Sequence, residues 1–469
     1  VIALFGLIIP GVYLLINDFT QEEKRGTLNF IRLSPQSAKN ILIGKILGVP
    51  ILVYFAFLLA LPFYLYAGFA GQVHPSIIFS FLITLILTCI FCYITALLFG
   101  LFGQGFRDFT PWIGSGLILC LLCLIAVKPI SQDATDWLNF FSPLILLNFI
   151  PKYMPKYGEI SFDFFQIEQL KFFSLPIGES FFRTRALIII NLGAVIWCLW
   201  TSIHGRFVNP TKPILTKKQS YLLVALWQLI LLGFSWYDYS NNIYPVKQMF
   251  EFMLVSNMML FLALIAALSP QRQTLLDWAR YRHENKTGFS FISLIKDLLF
   301  HQESPAILTI VVNLGIMTGI LTLGIISMLS NVSELTKHYQ IWIMVILICL
   351  SINATMILIY AIIAQTILFM RSPRASQLAI GAIATLVLIP IPLLSFLGIS
   401  AEDHPLFWTF TAMPWLAITN GTITKFMSIF LIPFLSQLSI FSILTARFGY
   451  VLRKAGESET KALLSQSKI

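Results

Sequence analysis

Eleven runs of predominantly apolar residues, at roughly 1–17, 46–69, 75–102, 111–130, 186–203, 221–238, 247–268, 305–329, 340–369, 377–397 and 424–446, dominate this chain. A helix needs about 20 such residues to cross about 30 Å of hydrocarbon. In lipid the backbone must satisfy its own hydrogen bonds, so spanning runs of this length are helices. Hydrophobic residues make up 57% of the chain and charged ones 11%, where soluble domains carry roughly a quarter charged residues. The chain reads as an all-α polytopic membrane protein.

Orientation follows from Lys and Arg, which are enriched in cytoplasmic loops. If residues 18–45 lie inside, alternation also places 103–110, 204–220, 269–304, 370–376 and the tail from Arg447 inside. Those segments hold 22 of the 31 Lys and Arg, and the opposite orientation would export that majority. The net charge of +10 therefore reads as topology and contact with anionic lipid headgroups, not nucleic-acid binding.

The order of elements repeats. In the first half the island "KRGTLNFIR" (24–32) follows a span and "LIGKIL" (42–47) leads into the next; in the second, "QRQTLLDWAR" (271–280) and "LIKDLL" (294–299) take those places. Each half then runs through three spans, an apolar segment broken by proline at Pro143 or Pro414, and a last span ending in Arg-Phe (Arg206-Phe207, Arg447-Phe448). Run 221–238 has no counterpart after Val1, so we expect an upstream segment and two tandem six-helix halves, 1–210 and 211–469. An even number of spans per half implies a pseudo-two-fold axis along the membrane normal.

The stretch 21–45 is polar and basic between two hydrocarbon runs. Gly26 can end or bend the incoming helix, and Leu28, Phe30 and Ile31 offer an apolar patch on a short amphipathic turn. Ser34-Pro35 reads as a helix start, Ser capping and Pro in the first turn. This pattern of an acid (Glu22 or Glu23), Arg25-Gly26-Thr27, Ser34-Pro35 and Gly44-Lys45 resembles the coupling loop of ABC exporter permeases of the type-two class. The resemblance covers the first half and reaches the second through the repeat, where Arg272, Thr274, Asp277 and Arg280 form the matching loop, with Gln273 in place of Gly26 and Lys296 in place of Gly44. It implies two permease halves fused in one chain in a bacterial inner (plasma) membrane. It also implies two copies of a cytoplasmic ABC ATPase subunit docked on these loops, ATP and Mg being used by those partners and no cofactor being bound by this chain.

The residues themselves fit a chain that does not hydrolyse ATP. A phosphate cradle ends in Gly-Lys-Ser/Thr after a glycine-rich turn, whereas Gly44-Lys45 is followed by Ile46. Cys89 and Cys92, and Cys120 and Cys123, have zinc-ligand spacing, yet their apolar settings read as packing. The six His residues fall in loops or at span ends without a supporting cluster. No Asp, Glu or His stands at mid-span, which disfavours ion-coupled transport; the polar residues there are Asn191, Asn257, Asn313, Asn353 and Gln365. These amides are either interhelical hydrogen bonds or substrate contacts.

The segment 131–185 is the largest outer piece. Its stretch 162–173 reads either as a surface helix in the headgroup region or as a helix over the outer mouth. Pro143 and Pro414 mark partial insertions from outside that form a lid, since broken backbone at membrane depth must be buried in protein or line a cavity. Three function classes stand at this point: an ATP-driven exporter permease for a hydrophobic or amphipathic cargo, a membrane-embedded enzyme acting on lipid-linked substrates with Asp108 as its nearest carboxylate, and a permease-like scaffold that does not transport.

Overall fold

The computed structural model describes residues 2–102, 109–128, 130, 133–150, 167–209, 213–236, 244–284, 291–329, 339–372, 374–419 and 426–456. All eleven apolar runs are helical there, and ten of the helices among the described residues are long and apolar enough to cross a membrane. The eleventh, run 221–238, begins earlier than its apolar stretch, and Lys217, Lys218, Gln219 and Gln228 dilute it. The chain divides into two compact units, Val1–Pro210 with Gly233–Tyr237, and Thr211–Leu232 with Asp238–Ile469.

The first unit starts with α1 (Ile2–Lys24), which continues well beyond the apolar run to carry Asp18, Glu22 and Glu23. Two short helices follow, α2 (Thr27–Arg32) and α3 (Ala38–Gly48), then α4 (Ile51–Ala70), α5 (Pro75–Phe102) and α6 (Thr110–Val127). The run expected at 46–69 is thus cut at Val49-Pro50, because proline cannot donate to the ladder of the preceding turn. Helix α5 is the enclosed centre, packed chiefly by α1 and by the later span Phe181–Val208, and α4 buries no residue. Pro10 lies inside α1, which continues through it, and near that level the Tyr93 hydroxyl of α5 donates to the Leu7 carbonyl at 2.8 Å. Gly11 makes the approach possible: a Cβ there would lie 2.0 Å from the Tyr93 oxygen.

Between α6 and α7 (Phe181–Val208) the chain folds into two successive 3-10 helices, Ala134–Phe141 and Pro143–Phe149. Pro143 is buried in the first turn of the second, and the Ser142 hydroxyl caps it by accepting from the Leu144 N–H at 3.3 Å. The Thr88 hydroxyl donates to the Phe141 carbonyl at 3.1 Å. Thr88 lies thirteen residues into α5, about 20 Å along it at 1.5 Å per residue, so this broken segment reaches the mid-length of a span. The helix expected over 162–173 is not found in its described part. Residues 162–166 lie outside the described residues; beyond them Ile167–Gln169 form a 3-10 turn, and β1 (Lys171–Phe172) pairs antiparallel with β2 (Leu175–Pro176). Phe173 and Ser174 turn the hairpin with φ of 46° and 66°, the left-handed pair that two-residue hairpins need. Tertiary contacts outweigh the helical pattern: the Phe173 N–H donates to the Gly233 carbonyl at 2.8 Å, and the Phe172 ring meets Phe234 edge-on.

The second unit comprises α8 (Lys217–Ser235) up to Leu232, α9 (Tyr244–Leu268), the loop helices α10 (Arg272–Glu284) and α11 (Phe291–Phe300), then α12 (Ile307–Leu329) and α13 (Tyr339–Leu368). The run 377–397 is broken at its proline pair into α14 (Ala375–Leu388) and α15 (Pro390–Phe396). Short helices α16 (Pro405–Trp408) and α17 (Leu416–Thr419) precede the last span, α18 (Phe426–Gly456). Pro414 is buried in the turn before α17. The carbonyl of Thr409 accepts from the Gln437 amide of α18 at 2.8 Å, and the Gln437 oxygen accepts from the Thr355 hydroxyl of α13. Helix α13 is the enclosed centre of this unit.

Candidate functional site

The first loop is built from α1, α2 and α3. The left-handed Gly26 (φ 71°) ends α1, with its N–H on the Glu23 carbonyl at 3.0 Å. Open space surrounds Gly26, so glycine is required by backbone conformation and not by crowding. The Thr27 hydroxyl donates to the Glu22 carbonyl at 3.1 Å. In α2, Leu28 is buried and Ile31 half-buried, but Phe30 is 79% exposed, and Leu33 just beyond is 85% exposed. The expected apolar patch is therefore split, since residues two apart on a helix cannot share a face.

The helix start lies three residues later than expected. Ser34 and Pro35 form a bend, and Ser37, in extended backbone, accepts from the Asn40 N–H at 3.3 Å as the cap of α3. Helix α3 then turns Lys45 back onto α1, where its ammonium meets Asp18 at 2.5 Å and Glu22 at 2.6 Å and sits 4.7 Å from the Phe19 ring centre. Glu22 and Lys45 thus fasten the loop to its own span, while Arg25 and Gly44 remain exposed and Glu23 is half-buried. Asp18 escaped the sequence reading. Its signal was there, because Asp18 and Glu22 are like charges four residues apart on one helix, which repel unless a cation joins them.

These elements enclose an open groove of about 650 Å³ whose lining includes Asp18, Glu22, Phe30, Ser34, Pro35, Gly44 and Lys45. Along the loop, the Arg32 guanidinium lies 5.6 Å from the ring centre of Phe207, buried near the end of α7. The loop is anchored on two spans and offers Phe30 and Leu33 to the outside.

The second loop is built differently. Leu275, Leu276, Trp278 and Ala279 of α10 bury against Phe448 and Leu452 of α18 and Phe369 after α13. Arg272 turns inward: its Nε donates to the Phe369 carbonyl at 3.1 Å, and its guanidinium lies 5.8 Å from the ring centre. This caps the C-terminal end of α13 with a cation, the sign the helix dipole favours. Thr274 donates to the Gln271 carbonyl at 2.6 Å; Asp277 accepts from Gln273 at 3.1 Å and lies 4.0 Å from Arg280. Gln273, Asp277, Arg280 and Tyr281 recur at helical spacing as the exposed stripe of α10. The segment 285–290, including Thr287, lies outside the described residues, as do Arg107 and Asp108.

Helix α11 is held by α8. The buried Lys217 ammonium donates to the Leu298 carbonyl and the Ser304 hydroxyl oxygen, each at 2.7 Å, and to the Pro305 carbonyl at 3.4 Å. Tyr221 adds a bond to the Leu299 carbonyl at 2.9 Å. The pair satisfies carbonyls that the end of α11 leaves open. Burial pushes the Lys217 ammonium down to about 7 from the ordinary 10.5. Between those two values the unfolded chain binds more protons than the folded one, so stability rises with pH across that window and is level below it. Thermal unfolding at pH 7 and pH 9.5 should show this rise in the wild type and not in Lys217→Met; a rise of equal size in both would assign it to other groups.

Among the described residues no three His, Cys, Asp or Glu come together as a metal cage. Cys89 and Cys92 are buried, whereas Cys120 and Cys123 face away from the protein. Of the mid-span amides, Asn191 accepts from the Trp137 ring N–H at 2.8 Å, and Asn257 exchanges two bonds with Gln228 at 2.7 and 3.1 Å. No protein-family model, no curated protein and no solved structure matches this chain.

Proposed function

We propose that this chain is the transmembrane permease of an ATP-driven ABC transporter, exporting a hydrophobic or amphipathic cargo across a bacterial inner membrane. Two copies of a separate cytoplasmic ATPase dock on its loops and hydrolyse Mg-bound ATP. One observation carries the reading. The first loop presents two bare apolar side chains, Phe30 on a helix of six residues and Leu33 just beyond it, and that loop is fastened through Lys45 and Arg32 to the ends of α1 and α7. Adjacent exposed apolar side chains on a polar loop outside the spans offer a contact surface, and a fastened loop passes a push on its tip to the spans.

The tandem arrangement has its own support. Thr88 and Tyr93 of α5 and Thr355 and Tyr360 of α13 stand at one spacing, since 355 − 88 and 360 − 93 both equal 267. Each helix is the enclosed centre of its unit, with 61% of its most apolar stretch buried, and each threonine joins the bonds that hold a proline-broken segment. The two such segments fit partial insertions from outside, forming a lid.

Capture of the full chain from its native membrane should bring down an ATPase, with vanadate-sensitive turnover. Capture without one would favour the scaffold. Orientation has a separate check: an impermeant thiol reagent added to intact cells should leave Phe30→Cys and Tyr281→Cys unlabelled, both sites being exposed on the protein. Labelling of either from outside would invert the topology.

A further inference from the structure

The two enclosed helices differ in what they leave unsatisfied. In the first unit the Tyr93 hydroxyl is bonded to the Leu7 carbonyl. In the second, the hydroxyl of its counterpart Tyr360 has no partner, nor does either amide atom of Asn353 or, on another face of α13, of Gln365, nor the side-chain oxygen of Asn313, whose nitrogen donates to Ser220 at 3.0 Å. Asn313 and Asn353 are 0% exposed and Tyr360 2%. Asn353 and Tyr360 are seven residues apart on α13, hence on one face and about 10 Å apart along the axis. Helices α12 and α13 carry no charged residue. A buried amide or hydroxyl without a partner is costly, more so in hydrocarbon, and such groups persist where another state or a ligand uses them.

The geometry points to a binding site for a neutral, hydroxyl- or amide-bearing headgroup on the Asn353–Tyr360 face of α13, opened when the second unit's helices part. Neutrality follows from the absence of charge on α12 and α13 and from the pairing of Lys247 with Glu251 at 3.9 Å on the adjacent α9, and a polar head on an apolar body from the apolar side chains that surround the buried face. Naming this ligand the cargo rests on the transporter reading; the binding itself does not.

The test uses the full chain in lipid nanodiscs, with no ATPase present. The probes are octyl glucoside, octyl sulfate and octyltrimethylammonium, each below its micelle concentration and sharing one alkyl chain. Without probe, Asn353→Leu should melt about 2–4 °C higher than the wild type, because an apolar group replaces an unsatisfied one. Tyr360→Phe, the milder change, should not melt lower. Octyl glucoside should raise the wild-type melting temperature, the charged probes should not, and the double variant should lose the response. Three results would overturn the site: a lower melting temperature in both single variants, a shift independent of headgroup, or an equal glucoside response in wild type and double variant. A specific glucoside response with no ATPase found in the native membrane would keep the site and remove only the transport role.

Discussion

With the chain acting as the proposed permease, Gly26→Val should lower cargo-stimulated ATP hydrolysis in the assembled complex by about 5- to 150-fold, the span of a coupling free energy of about 1–3 kcal/mol. Gly26 holds a φ of 71°, where valine is an outlier because its Cβ crowds the following carbonyl. The exit from α1 must then change, and with it the direction in which α2 presents Phe30 and Leu33. Replacing Glu22 and Glu23 with Ala should act through a second route, since Glu22 holds Lys45 at 2.6 Å and its loss frees one side of the fastening. The matched changes, Gln273→Val and Asp277→Ala, should do less. Both residues lie on the exposed stripe of α10, whose opposite face is bedded on α18 by Leu275, Leu276 and Ala279, so the backbone there does not depend on them. At equal expression, equal losses in the two sets would make the loops symmetric, and unimpaired turnover in the first set would reduce 21–45 to a connector.

Gly11→Ala should destabilise the first unit by roughly 3 kcal/mol, at the upper end for overpacking of a closed core. The new Cβ would lie 2.0 Å from the Tyr93 oxygen and 2.3 Å from the ring carbon that bears it. Tyr93 is 1% exposed and has no room to withdraw. Moving it also breaks the bond to the Leu7 carbonyl, which contributes about 1 kcal/mol. Tyr93→Leu in the same chain should recover much of the loss by removing the clashing atoms. Thermal unfolding in detergent measures both; a neutral Gly11→Ala would mean that α1 and α5 do not pack at this level.

The spans were legible because hydrocarbon runs of this length have one solution in lipid. Their edges were less so, and the reasons are local. The α1 helix outran its apolar stretch because Asp18 and Glu22 gain Lys45 as a partner, a contact between residues far apart in sequence. Ser34-Pro35 carried the composition of a helix start, but Ser37 has the extended backbone and the free hydroxyl that a cap needs. The inward turn of Arg272 and the cage around Lys217 had no sequence signal, because their acceptors are backbone carbonyls, which every residue possesses. The 171–176 hairpin was hidden for a similar reason: its turn residues Phe173 and Ser174 are not the glycine or asparagine that usually announce left-handed backbone.

The proposed docking of an ATPase on the first loop is tested most directly by a photo-crosslinker. With benzoylphenylalanine in place of Phe30, irradiation of native membranes should yield an adduct between this chain and an ATP-binding subunit, and the same probe at Leu59, exposed midway along the apolar α4, should not. Adducts to lipid alone from position 30, or to the same proteins from both positions, would contradict it.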